Sequence, residues 1–227
     1  MKFAETSFGR FHYFDNCDIG RRIAAGEFFD AHLQPYMELL CGGDVLVDVG
    51  ANIGFFTVLV GRQGARVEAF EASPQVADVL EMNVRENNLT ELVSVHRLAL
   101  YDGEKELGMN PACVDTDYEL SANSGGLSLV PGKGFAAKPL DSFHFEHITV
   151  LKIDTQGADL RVLMGARDTI VRCSPTICFE YEQAKGETCN ASGDSLTDFL
   201  GFFSDLNYDV DKIADTQYGG DYAAVPR

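Results

Sequence analysis

A Rossmann-like α/β fold, a mostly parallel sheet with helices on both faces, follows from three observations. Short apolar runs alternate with amphipathic helical stretches from Val45 to about Leu100, the pattern of parallel strands joined by right-handed crossovers. A glycine turn, Asp48-Val-Gly-Ala-Asn-Ile-Gly54, joins the first apolar run to the first helical stretch. An acid, Glu71, ends the second run about 20 residues further on. Residues 1–44 form an N-terminal appendage, and 45–227 form the main domain, with a β-rich insertion at 108–137.

Taken in order, Phe3, Phe8, Phe11, Tyr13 and Phe14 alternate with polar residues and predict a small hairpin. Asp18 to Glu27 reads as a polar link. Phe28 to Leu40 predicts a helix with Phe28, Phe29, His32, Leu33, Tyr36, Met37 and Leu40 on one broad face, stopped by Gly42-Gly43. This segment is expected either to cap a ligand cleft or simply to pack on the sheet edge. Val45 to Val49 reads as a strand buried on both faces. A helix over about 53–62 and a strand over 66–71 follow. Ser73-Pro74 opens the next helix, with Ser as N-cap and Pro at the first helical position, and that helix runs to about Asn87. Leu92 to Leu100 is a third strand.

Residues 101–140 break this rhythm. A turn and a short edge strand are followed by a long stretch rich in Gly, Ser, Asn and Pro, and loops of this length in compact domains are usually functional or mobile. The pattern returns with Ile148 to Ile153 as a buried strand ending at Asp154. A helix over Ala158 to Val171 and a strand over Pro175 to Phe179, ending at Glu180, come next. A helix over Ser195 to Leu206, a strand over 208–213 and a closing antiparallel strand at 222–225 complete the chain.

Composition narrows the function. At 227 residues the chain is one large domain, or one domain with an appendage. Its 45% hydrophobic content supports a real core. A formal net charge of -17, without a Lys/Arg cluster, argues against nucleic acid and anionic membrane as partners. No apolar run reaches the length of a membrane span, and the N-terminus lacks an apolar signal region. The six cysteines show no Cys-x-x-Cys spacing, which argues for reduced thiols in a cytoplasmic protein and against zinc. His144 and His147 have ligand-like spacing but no third partner, so no metal is expected.

The glycine turn decides between two ligands. A dinucleotide site wants G-x-G-x-x-G, but this turn has Asn52 where the second glycine belongs and Phe55 where a small residue belongs. That obstructs a pyrophosphate and argues against an NAD-dependent oxidoreductase. S-adenosyl-L-methionine carries no phosphate. Its ammonium end suits Asp48, and its ribose hydroxyls suit a carboxylate at Glu71.

Several pieces together resemble the FkbM-type S-adenosylmethionine-dependent methyltransferases. They are Asp48 to Gly54 with Thr57, Phe70-Glu-Ala-Ser-Pro74, Asn83-Val84 with Asn87-Asn88-Leu89, Ala99 to Asp102, Leu140-Asp-Ser142, Lys152-Ile-Asp-Thr-Gln-Gly157, Gly165-Ala-Arg167 and Ile177 to Glu180. The resemblance spans residues 20–182 and implies a class I methyltransferase sheet. It implies that Asp48, Gly50, Asn52 and Gly54, with Thr57, hold the methionine part of the cofactor. Glu71 would take the ribose, with Ala72 and Ser73 beside the adenine and backbone contacts from Ala99 and Leu100. The family pattern has Glu where Gln156 and Asp159 stand here, and an amide at 156 cannot serve as a general base.

Asp154 and Glu180 end two strands and are the candidate catalytic pair, as base or acceptor orienter. Lys152 is read as a carboxylate partner. The resemblance implies an acceptor among small molecules or biosynthetic intermediates, methylated on a hydroxyl. Methylation of an amine or amide, including a peptide side chain, is the alternative, and a cofactor-binding module without turnover is a third reading. The aromatic N-terminal segment fits either packing in cis or a homodimer interface.

Overall fold

The computed structural model describes residues 1–15, 17–109, 129–182, 193–216 and 219–227. The chain divides into two compact units, the described part of the first covering residues up to 97 and that of the second starting at 98. Residues 110–128, the heart of the expected insertion, lie outside the described residues.

The first unit begins with an antiparallel hairpin, β1 (Lys2–Thr6) and β2 (Gly9–Tyr13). The stretch expected to be a polar link is instead the helix α1 (Asp18–Ala24). Its physical reason is tertiary. Gly20 and Ile23 are buried, and a Cβ on Gly20 would lie 2.5 Å from the Tyr13 side chain, so only glycine lets this turn of helix close on the hairpin. The helix expected over 28–40 is also corrected. Only a 3₁₀ turn at Ala31–Leu33 and the single turn α2 (Gln34–Met37) form. Asp30, at φ 49, is in the left-handed region and breaks the run.

The central part of this unit follows the expected order. Strand β3 (Val45–Val49), helix α3 (Phe55–Arg62), strand β4 (Arg66–Phe70), helix α4 (Pro74–Glu86) and strand β5 (Val93–His96) alternate. Val45 pairs with Arg66 and Val67 with Val93, so β3, β4 and β5 run parallel. Leu46, Val47, Val67, Ala69, Val58, Val60 and Leu80 are all buried, which places a continuous apolar core between strands and helices. The hairpin and the segment after it pack on the start of α3. Phe8, Phe28 and Phe29 each meet the Phe55 ring edge-on, with centroids 5.5, 5.2 and 6.3 Å away.

In the second unit the strand expected over 92–100 does not continue. Residues 99–100 form a separate strand, β6 (Ala99–Leu100), which pairs in parallel with β9 (Phe135–Lys138). With β7 (Lys105–Met109) and β8 (Leu129–Pro131) these build a four-stranded sheet in the order β6-β9-β7-β8. Next come β10 (Val150–Ile153) and, in parallel with it, β11 (Thr176–Glu182).

The helix expected over 158–171 is two helices, α5 (Asp159–Met164) and α6 (Arg167–Cys173). A Cβ on Gly165, at their junction, would lie 2.0 Å from the Tyr101 carbonyl oxygen, so backbone meets backbone there and the helix is interrupted. The Asp141 carboxylate caps α6, accepting from the Asp168 amide at 3.1 Å and the Thr169 amide at 2.7 Å. Helix α7 (Leu196–Asp205) opens on a capping box made by Ser195 and Asp198. The last two strands, β12 (Tyr208–Asp215) and β13 (Gly219–Pro226), run antiparallel to each other. β13 also lies antiparallel to β11, so the later strand is inserted between two earlier ones.

Candidate active site

In the first unit the glycine turn connects β3 to α3 through three residues with positive φ: Gly50 at 72°, Asn52 at 53° and Gly54 at 91°. Gly54 is needed twice over, for its left-handed backbone and because a Cβ there would lie 2.4 Å from the Leu80 side chain. The amides of Gly50 and Ala51 both donate to the Phe70 carbonyl at 3.0 Å, which folds the turn over the end of β4. Asp48 and Thr57 are fully buried, and the Thr57 hydroxyl donates to Asp48 Oδ2 at 2.7 Å. Thr57 therefore positions the carboxylate from one turn into α3.

Glu71 joins the two turns of this half. Its Oε2 accepts from the Asn52 amide at 3.0 Å and its Oε1 from the Ser73 amide at 2.8 Å. The acid at the end of β4 is thus also the brace that orients both loops. Ser73 occupies the N-cap position of α4 but makes no side-chain cap; its hydroxyl contacts Gln75 Oε1 at 3.4 Å instead. The expected capping role is corrected to that extent. Ala72 lies half-buried between Glu71 and Ser73.

Sequence reasoning gave no role to Asn83, one of the residues of the resemblance. This fully buried amide of α4 donates to the Ile53 carbonyl at 2.7 Å and to the His12 carbonyl at 3.1 Å. Its Oδ1 accepts from the His12 amide at 2.6 Å. Asn87, one turn on, treats Arg10 the same way, accepting from its amide at 2.9 Å and donating to its carbonyl at 2.7 Å. Two asparagines at helical spacing thereby replace a partner strand along β2. The partners are more than 70 residues away in sequence, so no local pattern reveals them.

Ala99 and Leu100 are buried in the second unit, in the β6–β9 ladder opposite Ala137 and Lys138. They do not end the third strand, as the sequence pattern implied. Asp154 follows β10, and Glu180 lies in β11. The structure brings this pair together through a residue that sequence reasoning set aside. Gln156 Nε2 donates to Asp154 Oδ1 at 2.9 Å and to Glu180 Oε2 at 3.3 Å. Gln156 holds φ 54, a left-handed conformation that non-glycine residues rarely adopt, so its amide is set between the two carboxyls at some backbone cost. The Lys152 ammonium stands 3.7 Å from Asp154 Oδ2, the carboxylate partnership expected of it.

Burial, reinforced by Asp154 and Asp159, pushes the Glu180 carboxyl far above its ordinary range. Asp159 is buried too. Burial first, then the neighbouring Asp154, pushes it up to about 7. Asp159 Oδ2 accepts from the Thr155 hydroxyl at 2.7 Å, and Oδ1 accepts from the Glu180 amide at 3.3 Å, so this acid ties the 155–157 turn to β11. The shift favours the protonated form of Glu180, which can donate a hydrogen bond.

These residues fit S-adenosylmethionine. The turn from Asp48 to Thr57 contains no cationic side chain to oppose a sulfonium, and it follows a buried carboxylate. The acid at the end of β4 stands where a ribose is held in open α/β sheets.

Comparison with known proteins agrees. The profile of the methyltransferase FkbM domain matches residues 48–210. A 62-residue stretch is 36% identical to the ribosomal protein L11 methyltransferase of Bacillus cereus, covering 27% of this chain and 20% of that protein. The chain thus spans only about a fifth of the length of the curated relatives it matches. Among solved structures, an FkbM methyltransferase from Methylobacillus flagellatus KT shares the fold with TM-score 0.56 at 20% identity, over 80% of this chain and 43% of that one. An O-methyltransferase from Bacillus cereus, solved in complex with SAH, shares it with TM-score 0.55 at 15% identity, over 92% and 86%. With the class I methyltransferase fold in place and the family profile covering most of its length, the chain belongs to the FkbM family of S-adenosylmethionine-dependent methyltransferase domains.

Proposed function

We propose that this chain transfers a methyl group from S-adenosylmethionine to a hydroxyl of a small-molecule biosynthetic intermediate. The observation that carries the acceptor chemistry is the carboxyl pair Asp154 and Glu180 spanned by the Gln156 amide. Bound at the glycine turn, the cofactor supplies an electrophilic methyl on a sulfonium. The protein supplies position and a proton acceptor. Asp154, paired with Lys152 at 3.7 Å, would accept the proton that a hydroxyl acceptor gives up on methylation. Glu180, kept neutral by burial, donates to an acceptor oxygen and orients it. Gln156 holds the two apart in register but, as an amide, takes no proton itself.

A second reading, methylation of an amine or of a peptide side chain, is favoured by the acidic surroundings of this pair. Asp159, Glu182 and Asp221 lie close enough to Glu180 to raise its pKa, and such a pocket accepts a cation. The 62-residue likeness to a methyltransferase named for a ribosomal protein points the same way.

The test is methyl transfer from tritiated S-adenosylmethionine to a panel of hydroxylated and amino compounds, with SAH and NAD binding followed by calorimetry. Transfer to hydroxyls that is lost in Asp154→Asn, with SAH affinity retained, supports the first reading. Transfer confined to amines selects the second. Binding of NAD and not SAH would overturn both.

A further inference from the structure

Asn83 stands at a junction that its neighbours do not share. Its carboxamide has three hydrogen-bonding capacities in use, and one of them reaches Ile53, in the middle of the glycine turn. The other two clasp the peptide group of His12 in β2. Asn87 clasps the same strand two residues earlier and does not touch the turn. Past the turn, Phe55 is enclosed by rings from the hairpin and from residues 28 and 29. A buried amide with both N–H groups and its oxygen engaged is costly to disturb, because each partner left behind is a buried polar group.

We propose that Asn83 is a positioning residue for the cofactor, fixing the glycine turn in its open, positive-φ form by tying the Ile53 carbonyl to the N-terminal hairpin. This rests on the reading of that turn as the S-adenosylmethionine site. The hairpin is then part of the cofactor machinery and not a decoration on it. Its state is felt at the turn through one side chain, and a cofactor that orders the turn orders the hairpin in return.

The matched pair Asn83→Ala and Asn87→Ala, made in the full chain, separates positioning from simple support. Both variants lose hydrogen bonds to β2, so both should melt earlier than the unaltered chain. Only Asn83→Ala should lose SAH affinity, by about tenfold or more in calorimetry, while Asn87→Ala stays within about twofold. Equal affinities in the two variants, or losses that track the two melting temperatures, would overturn the proposal while leaving the cofactor assignment intact. Failure of the unaltered chain to bind SAH would overturn the cofactor assignment and this proposal with it. If Asn83→Ala does not fold, amide hydrogen exchange on the unaltered chain decides. Saturating SAH should slow the His12 amide, which Asn83 holds, more than the Arg10 amide, which Asn87 holds. No difference between the two amides would refute the coupling.

Discussion

Burial acts on Glu180 first, and Asp154 and Asp159 add to it. A carboxyl whose folded pKa is raised binds its proton more tightly in the native state than in the unfolded one. Its contribution to stability is present in full below its unfolded pKa and is lost as pH rises toward the folded one. In that window each pH unit costs about 1.4 kcal/mol per retained proton. The stability of the unaltered chain should therefore fall as pH rises from about 4.5 toward about 10, and Glu180→Gln, which mimics the neutral acid, should flatten that fall. Asp159, pushed up to about 7, adds its share at the lower end of the window, and Asp159→Asn should flatten only that part. Thermal unfolding followed across pH reads both effects; a parallel fall in all three proteins would refute the assignment.

Glu71 yields a second expectation at this scale. Glu71→Ala should weaken SAH binding by about 1–3 kcal/mol, the order of a lost charged hydrogen bond. Because the Asn52 and Ser73 amides also depend on this carboxylate, the same variant should melt earlier. Unchanged calorimetric affinity would remove Glu71 from the site. The sequence made Glu71 visible as an acid ending a strand, but its bracing role was hidden, because the Asn52 amide reaches it from a turn with left-handed backbone at Gly50, Asn52 and Gly54. Gln156 was hidden for a related reason: its side chain was judged by its inability to act as a base, and the left-handed backbone that aims it between two carboxyls leaves no trace in the residue types.

Elements were legible in proportion to how locally they are determined. Val45 to Val49 is buried almost throughout and flanked by a glycine turn, so its strand was read to the residue. Helix α4 announces itself by Ser73-Pro74 and by Val76, Val79, Leu80 and Val84 on one face. Helix α1 was missed because its polar surface conceals a glycine packed on Tyr13. The break between α5 and α6 was missed because Gly165 answers to Tyr101, far away in sequence. That contact makes a sharp prediction. Gly165→Ala should destabilise the protein by about 1–3 kcal/mol or more, the usual range for overpacking. Gly103→Ala, whose added Cβ meets nothing within 4 Å, should stay within about 0.5 kcal/mol. Denaturant titration of the two variants checks the contrast, and equal midpoints would refute it.

At the level of the whole molecule, a formal charge of -17 on 227 residues means that compaction works against self-repulsion. Salt should relieve it. The melting temperature should rise between ionic strengths of about 10 mM and about 150 mM, as the screening length shortens; a fall would show that favourable ion pairs dominate instead. The class of fold was legible because strands and helices alternate from Val45 to about Leu100 and again from Ile148 onward. The division at residue 97 was not, since it follows from which strands pair, as β6 does with β9 instead of continuing β5. Among the described residues no helix is long and apolar enough to cross a membrane.

The insertion of β13 between β11 and β12 has a consequence for how the chain is made. Along the sequence, both neighbours are synthesised before the strand that separates them. Until it arrives, β11 presents an open edge bearing Ile177 and Phe179, and β12 has no strand beside it. Pairing over such a separation is slow, and an open apolar edge invites pairing with another chain in the meantime. Docking of β13 closes the open edge of β11 and gives β12 its partner. Residues 219–226 close that edge for the second unit, although they include neither Asp154 nor Glu180.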